Sequence, residues 1–530
     1  MADPIVMAPR NGHASIQLVL RPVRRMEKIS VSVEGLGAGN QRKVDFQTRL
    51  VGNVVVAANT KQTPREELIH SAPALFPDVL YEDLQSSLEA GRTQSLWLTL
   101  TIPDDAPPGS HRAEVVVRED GIERIRAPFR FVISAATVPS RQTLKVTNWF
   151  YLTDRQLRSH FNVRTLSEDW WTLIENMGRV LADHRQNMIV TPLTGFYFSK
   201  LSLIQAKLGP SGLEYDFSNF DRWVRTFQKA GVIGYIEGSH VLRREDDGED
   251  PTGPLKVDVF VIEDGKAILK SLKPDDPRTP QALASMLTAL HRHLEQNGWL
   301  KIYYQHVLDE VREDEMPTYR EYAGIVHRAM PGVKTIDAVS ADRDLEVYEK
   351  SCDVWVPVLG SFDHLVDRLQ KHARAGGEVW FYTCLVPVGR YPNRFIDFSL
   401  VKVRQLQWLN FRYGLTGFLH WGGNYWPSDP WNETEPPIGG GSRTLMLPSG
   451  DAFITYPNPA KQSILSSIRL EMMREAIEDY ELLKSLEHKD PAAAAQLGSR
   501  MIRSFTDYVR EPKEFRQIQR ALLQALDSPR

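Results

Sequence analysis

The segment Tyr303-Tyr304-Gln305-His306-Val307-Leu308-Asp309-Glu310 sets two carboxylates side by side directly after a run that reads as a β-strand. Neighbouring side chains within a strand point to opposite faces, so an adjacent acid pair serves one substrate only where the strand has ended. Such a pair suits proton transfer: one acid, kept protonated by its neighbour's charge and by aromatic desolvation, would donate to a leaving oxygen. The plainer alternative is an Asp-Glu dipeptide in a solvated loop, and position decides between the two. Two further strand ends carry aromatics, Trp380-Phe381-Tyr382-Thr383 and His420-Trp421-Gly422-Gly423-Asn424-Tyr425-Trp426. Rings beside carboxylates match a sugar, whose CH faces stack on aromatics while its hydroxyls need directional hydrogen bonds.

The elements that must position these groups follow from periodicity. From residue 144 onward, short apolar runs alternate with longer helical stretches, and eight strands are predicted at 145–150, 188–191, 232–236, 301–306, 333–338, 353–357, 378–383 and 416–421. Helices are predicted between them at 169–184, 217–230, 280–297, 318–329, 362–375 and 398–413. Eight such repeats imply an α/β fold, a (β/α)8 TIM-like barrel whose site lies at the carboxyl ends of the strands. A doubly wound sheet is the alternative, but the bulky Asn148-Trp149-Phe150-Tyr151 replaces the Gly-rich phosphate loop expected after its first strand, and no nucleotide cofactor is expected. Before residue 138 the apolar period is two, with Gly/Pro/Asp turns such as residues 103–109, which reads as an all-β sandwich. The expected division is a sandwich at 1–138, a catalytic barrel at 144–490 and C-terminal helices at 491–530. In the long helix from 459, Leu465, Ile468, Met472, Ala476, Tyr480 and Leu483 form one inward stripe, with Arg474 and Glu478 able to pair a turn apart.

Composition narrows the partner. The 530 residues carry 64 Lys and Arg against 67 Asp and Glu, a formal charge of −3 with no terminal basic block, which argues against nucleic acid. The cluster Arg21, Arg24, Arg25 and Lys28 reads as a solvated sheet edge. Residues 1–10 lack a signal-like apolar region and no run of about 18 apolar residues occurs, so no membrane span is expected and a cytoplasmic location is the default. Cys352 and Cys384 fall at opposite ends of neighbouring strands, too far apart for a bridge. His291 and His293, two apart on a helix, do not share a face, so no metal is expected. Glu478 and Asp479 diverge on their helix, and an arginine partner is the expectation for them.

Longer motifs carry a resemblance. Trp380-Phe381-Tyr382-Thr383-Cys384 with residues 389–397, Gly417-Phe418-Leu419-His420-Trp421 with Asn424-Tyr425-Trp426, and residues 467–471 with 474–481 together resemble the catalytic domain of glycoside hydrolase family 123 and its wider relatives, through most of residues 144–487. The resemblance implies Asp309 and Glu310 as the catalytic pair of a retaining exo-β-N-acetylgalactosaminidase. The substrate's 2-acetamido oxygen would attack the anomeric carbon, Asp309 would orient and stabilise that group, and Glu310 would act first as acid and then as base. A nucleophile supplied by the sugar removes the need for a second carboxylate about 5 Å away across the ring. Val311 stands where relatives often have Pro, and Ala476 where the terminal helix motif usually has Gly; neither change removes a reacting atom.

Substrate contacts are expected from His306 to a sugar hydroxyl, from Tyr382 to the acetamido oxygen, from Trp421 and Trp426 as a stacking wall, and from Asn424 to a hydroxyl. Core packing is the alternative for His306, Tyr382 and both tryptophans. Trp149 is a further wall candidate, Glu237 and His240 follow the third strand as site members, and Arg394 contacts either substrate or the loop carboxylate Asp397. The partner is a glycan or glycoconjugate ending in a β-linked N-acetylhexosamine. Two alternatives remain open: a glycosidase of other specificity using a protein nucleophile such as Glu237 or Asp337, and a non-catalytic carbohydrate-binding protein.

Overall fold

The computed structural model describes residues 4–35, 44–83, 87–152, 156–196, 201–245, 253–340, 345–439 and 444–528. Between Ile5 and Thr137 the chain makes two four-stranded sheets, one ordered Ile5–Arg10, Ile122–Thr137, Gly109–Glu119, Ile29–Glu34 and the other Gly12–Leu20, Gln94–Ile102, Asp45–Val56, Ala74–Tyr81. The period of two in the strand Gln94–Ile102 turns Leu96, Leu98 and Leu100 toward Val115, Val117, Phe129 and Phe131 between the sheets. It turns Trp97 and Thr99 the other way, against the C-terminal helix. Of the basic cluster, Arg24 and Lys28 pair with Glu119 and Asp120 along the sheet edge.

Eight parallel strands then close into a barrel: Lys145–Asn148, Met188–Thr191, Tyr235–Gly238, Tyr303–Gln305, Lys334–Val339, Val354–Pro357, Glu378–Val379 continued as Phe381–Thr383, and Gly417–His420. Both faces are covered, so alternate residues serve two cores. Met188 and Val190 face the barrel interior with Ile336, Val354 and Trp380, while Ile189 packs outward with Trp170, Leu173 and Phe227 of the helical ring. Closure between the first two strands uses a side chain: Asn187 accepts from the Val146 N–H at 2.9 Å and donates to the Leu144 carbonyl at 3.0 Å. Gly417 is required in the eighth strand, because a Cβ there would lie 2.1 Å from the Trp380 ring that fills the interior.

All eight strands were legible, and the third is shifted. It runs Tyr235–Gly238 rather than 232–236, because Gly231 caps the preceding helix at φ 93° and the N–H groups of Gly234 and Tyr235 both turn to the Asn187 carbonyl. Glu237 therefore lies within the strand and not after it. Two hairpins, Gln205–Gly209 with Gly212–Asp216 and Leu255–Glu263 with Lys266–Leu272, extend the loops after strands two and three.

The long helix Ile468–Lys489 starts at Ser467, whose hydroxyl accepts the Leu470 N–H. It is buried around most of its circumference, unlike the single stripe expected, and Arg474 pairs with Glu471 rather than Glu478. Glu471 also takes Arg49 and Thr99 from the sandwich, Arg469 takes Asp78, and Glu478 takes His13 together with Arg185. Asp479 pairs with Arg404, the arginine partner expected for this helix. The helix is thus a polar keel joining sandwich to barrel. The second C-terminal helix runs Pro491–Met501, and beyond it the Ser504 hydroxyl captures the N–H groups of Thr506 and Asp507 in a local turn. Helix Pro512–Asp527 completes the brace. No helix among the described residues is long and apolar enough to cross a membrane.

Candidate active site

Strand four ends at Gln305, and Asp309 and Glu310 follow at the carboxyl-end mouth of the barrel, both half-buried. Glu310 adopts φ 46°, a left-handed conformation that Glu seldom takes, and this breaks the alternation that would send the two side chains apart. Backbone groups along the turn are held by named partners. Asp337, fully buried on strand five, accepts the N–H of Val307 at 3.0 Å and of Leu308 at 3.2 Å. Arg244 donates to the carbonyls of Asp309 at 3.0 Å and Glu310 at 2.9 Å. Glu310 N–H goes to the Ala338 carbonyl, and Val311 N–H to the Tyr348 hydroxyl at 3.2 Å. Val311, at the position where relatives often have Pro, thus uses an N–H that proline would lack.

The pair looks into aromatic surroundings. From strand seven, Tyr382 donates its phenolic hydrogen to Glu310 Oε1. Burial first, and then the charge of Glu310, push the Tyr382 pKa well above its ordinary value, so it stays a donor. After burial, the charge of Asp309 is the largest influence raising the Tyr151 phenol at the end of strand one. Tyr151 stacks on Phe196 at 5.4 Å and meets Tyr425 edge-on at 5.6 Å, while Tyr425 leans on Trp421 at 5.6 Å. Trp421 is fixed by its indole N–H to buried Asp451 at 3.1 Å.

Beneath this bowl lies a buried ionic floor. His306 is fully buried, with Nε2 2.8 Å from Glu237 and Nδ1 3.3 Å from Asp337. Burial alone would lower its pKa, but hydrogen bonds and charge from the two carboxylates outweigh that and hold it up at about 9. His240, its ring 4.3 Å from that of His306, is driven well below its ordinary value by burial and by the adjacent imidazolium, and stays neutral. Glu237 accepts in addition from Thr147 at 2.6 Å and the Trp149 indole at 2.8 Å. Donor atoms of His240, His306 and Asp337 come within 4.8 Å of one another, the one such group among the described residues. In this arrangement both nitrogens of His306 are engaged by carboxylates, which makes the group an ion network.

Two family models match the chain: the glycoside hydrolase 123 catalytic domain over residues 149–486 and the glycoside hydrolase 123 N-terminal domain over residues 6–119. The chain belongs to glycoside hydrolase family 123. A family 123 glycoside hydrolase from Clostridium perfringens, described for glycolipid glycan hydrolysis, shares the fold at a TM-score of 0.73 and 17% identity, covering 98% of this chain and 92% of its own. A family 39 glycoside hydrolase from Bacteroides cellulosilyticus aligns at a TM-score of 0.33 and 11% identity over 80% of this chain and 75% of its own. A family 5 mannosidase from Rhizomucor miehei aligns at 0.38 and 10% over 66% and 97%. Comparison with curated protein sequences finds no match.

The expected site residues of this family 123 chain divide sharply. Asp309, Glu310, Tyr382 and Trp421 gather at the barrel mouth. His306, Glu237, His240 and Trp149 lie together in the floor, where neither nitrogen of His306 is left for a sugar hydroxyl. The Tyr382 hydroxyl, expected at an acetamido oxygen, is engaged by Glu310. Asn424 is fully buried and clamps the backbone of Tyr151, accepting from its N–H at 2.6 Å and donating to its carbonyl at 2.7 Å, so it orients an aromatic rather than reading a hydroxyl. Trp426 points away, with its N–H on the Thr455 carbonyl and its ring against His160.

Arg394, also fully buried, holds Asn148, His420 and the Gly422 carbonyl instead of substrate or Asp397. Asp397 is taken by Thr60 of the sandwich at 2.7 and 2.9 Å, which ties the loop after strand seven to that domain. Tyr151, Phe196, Tyr425, Asp451 and Arg244 were not foreseen. Tyr151 and Tyr425 stood in the aromatic runs already singled out, whereas no local signal marks Arg244, which reaches the turn from sixty-five positions away. Cys352 and Cys384 are both buried thiols.

Proposed function

We propose that this family 123 glycoside hydrolase is a retaining exo-β-N-acetylgalactosaminidase in which the substrate's 2-acetamido oxygen is the nucleophile. The observation that carries the reading is the left-handed turn at Glu310, which sets two adjacent carboxyls before one aromatic bowl. Glu310 protonates the glycosidic oxygen as the acetamido oxygen attacks the anomeric carbon and the leaving group departs. Asp309 accepts the acetamido N–H and stabilises the positive charge of the oxazolinium intermediate. Glu310, now a carboxylate, takes a proton from water as that water opens the intermediate with net retention.

The state of the other barrel carboxylates supports substrate assistance. A protein nucleophile needs an accessible carboxylate about 5 Å from the acid. Glu237 and Asp337, the candidates on the two strands flanking strand four, are fully buried and saturated with hydrogen bonds. Family membership and the glycolipid glycan named for the Clostridium relative support a glycoconjugate substrate, and the galacto configuration is part of the proposal.

A panel of 4-nitrophenyl β-GalNAc, β-GlcNAc and β-galactoside, run with wild type, Asp309→Ala and Glu310→Ala, tests the reading. It expects β-GalNAc as preferred substrate, a loss of several orders of magnitude without the acetamido group, and loss of turnover in both variants. Equal rates on β-galactoside would return the protein-nucleophile mechanism, and binding without hydrolysis across the panel would leave a carbohydrate-binding protein.

A further inference from the structure

We propose that Arg244 is a positioning residue for the acid pair, holding the turn in the one conformation that aims both carboxyls at the same sugar. The inference rests on Asp309 and Glu310 being the reacting acids. Arg244 ends the two-residue strand Arg243–Arg244 in the loop beyond barrel strand three, so it reaches strand four's tip from the neighbouring loop. Its Nη1 donates to the Asp309 carbonyl at 3.0 Å and its Nη2 to the Glu310 carbonyl at 2.9 Å. In an extended strand successive carbonyls point to opposite sides, so one guanidinium spans both only because the left-handed Glu310 has turned the chain. The grip and the unusual backbone are two views of one arrangement.

The guanidinium is itself anchored. Glu315, almost wholly buried, accepts from Arg244 Nε at 2.9 Å and Nη2 at 2.5 Å, and takes the Arg312 backbone N–H at 2.9 Å. One planar group is therefore shared between a fixed carboxylate on one side and two carbonyls on the other. Lysine, with a single ammonium, cannot reproduce that fork. None of these contacts involves the aromatic wall, so substrate affinity and acid geometry are held by different residues. With Arg244 gone, the turn is free to relax toward extended backbone and the two carboxyls to diverge.

The test uses the full-length chain with Arg244→Ala, Arg244→Lys and Glu315→Gln, assayed on the aryl β-N-acetylhexosaminide that wild type cleaves fastest. Because misplacement by about 1 Å costs roughly 10²-fold, Arg244→Ala is expected to lose about that much in kcat with KM little changed, and Arg244→Lys and Glu315→Gln less. Millimolar guanidinium restores rate to Arg244→Ala, and the basic limb of its kcat/KM pH profile moves as the Tyr382 to Glu310 contact loosens. Amide exchange of residues 307–311 quickens while the rest of the barrel keeps its protection, a readout that needs no turnover.

Wild-type kcat in Arg244→Ala overturns the proposal. So does unchanged exchange at residues 307–311, or a rate loss that follows the melting temperature, ignores guanidinium and leaves the pH profile in place. Wild-type rates in Asp309→Ala and Glu310→Ala would instead remove the assignment beneath it, which separates the two failures.

Discussion

Tyr382 on strand seven donates its phenolic hydrogen to Glu310 Oε1 at the tip of strand four, joining two elements that are not neighbours in the barrel. A hydrogen bond to a charged group contributes about 1.5–3 kcal/mol, equivalent to roughly 10- to 100-fold in rate if it is needed at the transition state. Tyr382→Phe keeps the ring in the buried site and removes the donor alone. Its kcat/KM on an aryl β-N-acetylhexosaminide is expected to fall within that range with the melting temperature little moved; an unchanged kcat/KM would separate Tyr382 from the chemistry.

Leaving-group dependence distinguishes the two acids. General acid catalysis contributes about 10²- to 10⁴-fold, and it matters most when the departing oxygen is a poor leaving group. Glu310→Gln is expected to lose far more activity on a sugar aglycone than on nitrophenolate, which departs without a proton. Asp309→Asn acts on the acetamido side and is expected to lose similar factors on both. Parallel kinetics on the two substrates check this, and equal sensitivity in the Glu310 variant would assign the proton donor elsewhere.

The ionic floor gives a pH signature. His306 in the folded chain holds its proton up to about 9, above its ordinary 6.5, because Glu237 and Asp337 face it while His240 beside it is neutral. A folded pKa above the unfolded one means the contribution is complete below about 6.5 and is lost as pH rises through about 9. Denaturant midpoints measured from pH 6 to 10 are expected to fall between about 6.5 and 9 and to lose no more from this group above that. His306→Gln should flatten the fall, and a wild-type midpoint level through that range would contradict a charged His306.

Much of this was legible because barrel strands buried on both faces read as short apolar runs that helix periodicity does not reproduce, and an acid pair immediately after one of them marks the mouth. The register of strand three was not. Val232 and Ile233 look like strand residues, yet Gly231 and Gly234 spend them on a turn, and a shift of this kind moved Glu237 from the expected mouth into the floor. Asn424, Arg394 and Trp426 share the site's motifs but serve its scaffold. Polar residues at strand ends satisfy backbone groups as readily as ligands, and residue type alone does not separate the two uses. Arg244 and Asp337 act on the turn through backbone groups, which leave no trace in side-chain patterning.

The keel between sandwich and barrel sets the last expectation. Glu471 is fully buried and accepts from Arg49 at 2.8 Å, Arg474 at 2.5 Å, Thr99 at 2.9 Å and His184 at 2.7 Å. Burial opposes its charge, but Arg474, His184 and Arg49 hold its pKa well below the ordinary carboxylate value. Its contribution is therefore present above the unfolded pKa and is lost only as pH falls through the depressed folded one. Glu471→Ala strands two guanidinium groups in the interior, and breaking a buried pair in this way costs about 3–5 kcal/mol. Urea unfolding at neutral pH is expected to show a loss of that size, with faster proteolysis of the linker at residues 138–144 as the sandwich loosens. Adding Arg49→Met to Glu471→Ala removes one of the stranded charges, so the double variant should be more stable than Glu471→Ala alone; strict additivity of the two losses would mean that Arg49 and Glu471 do not interact.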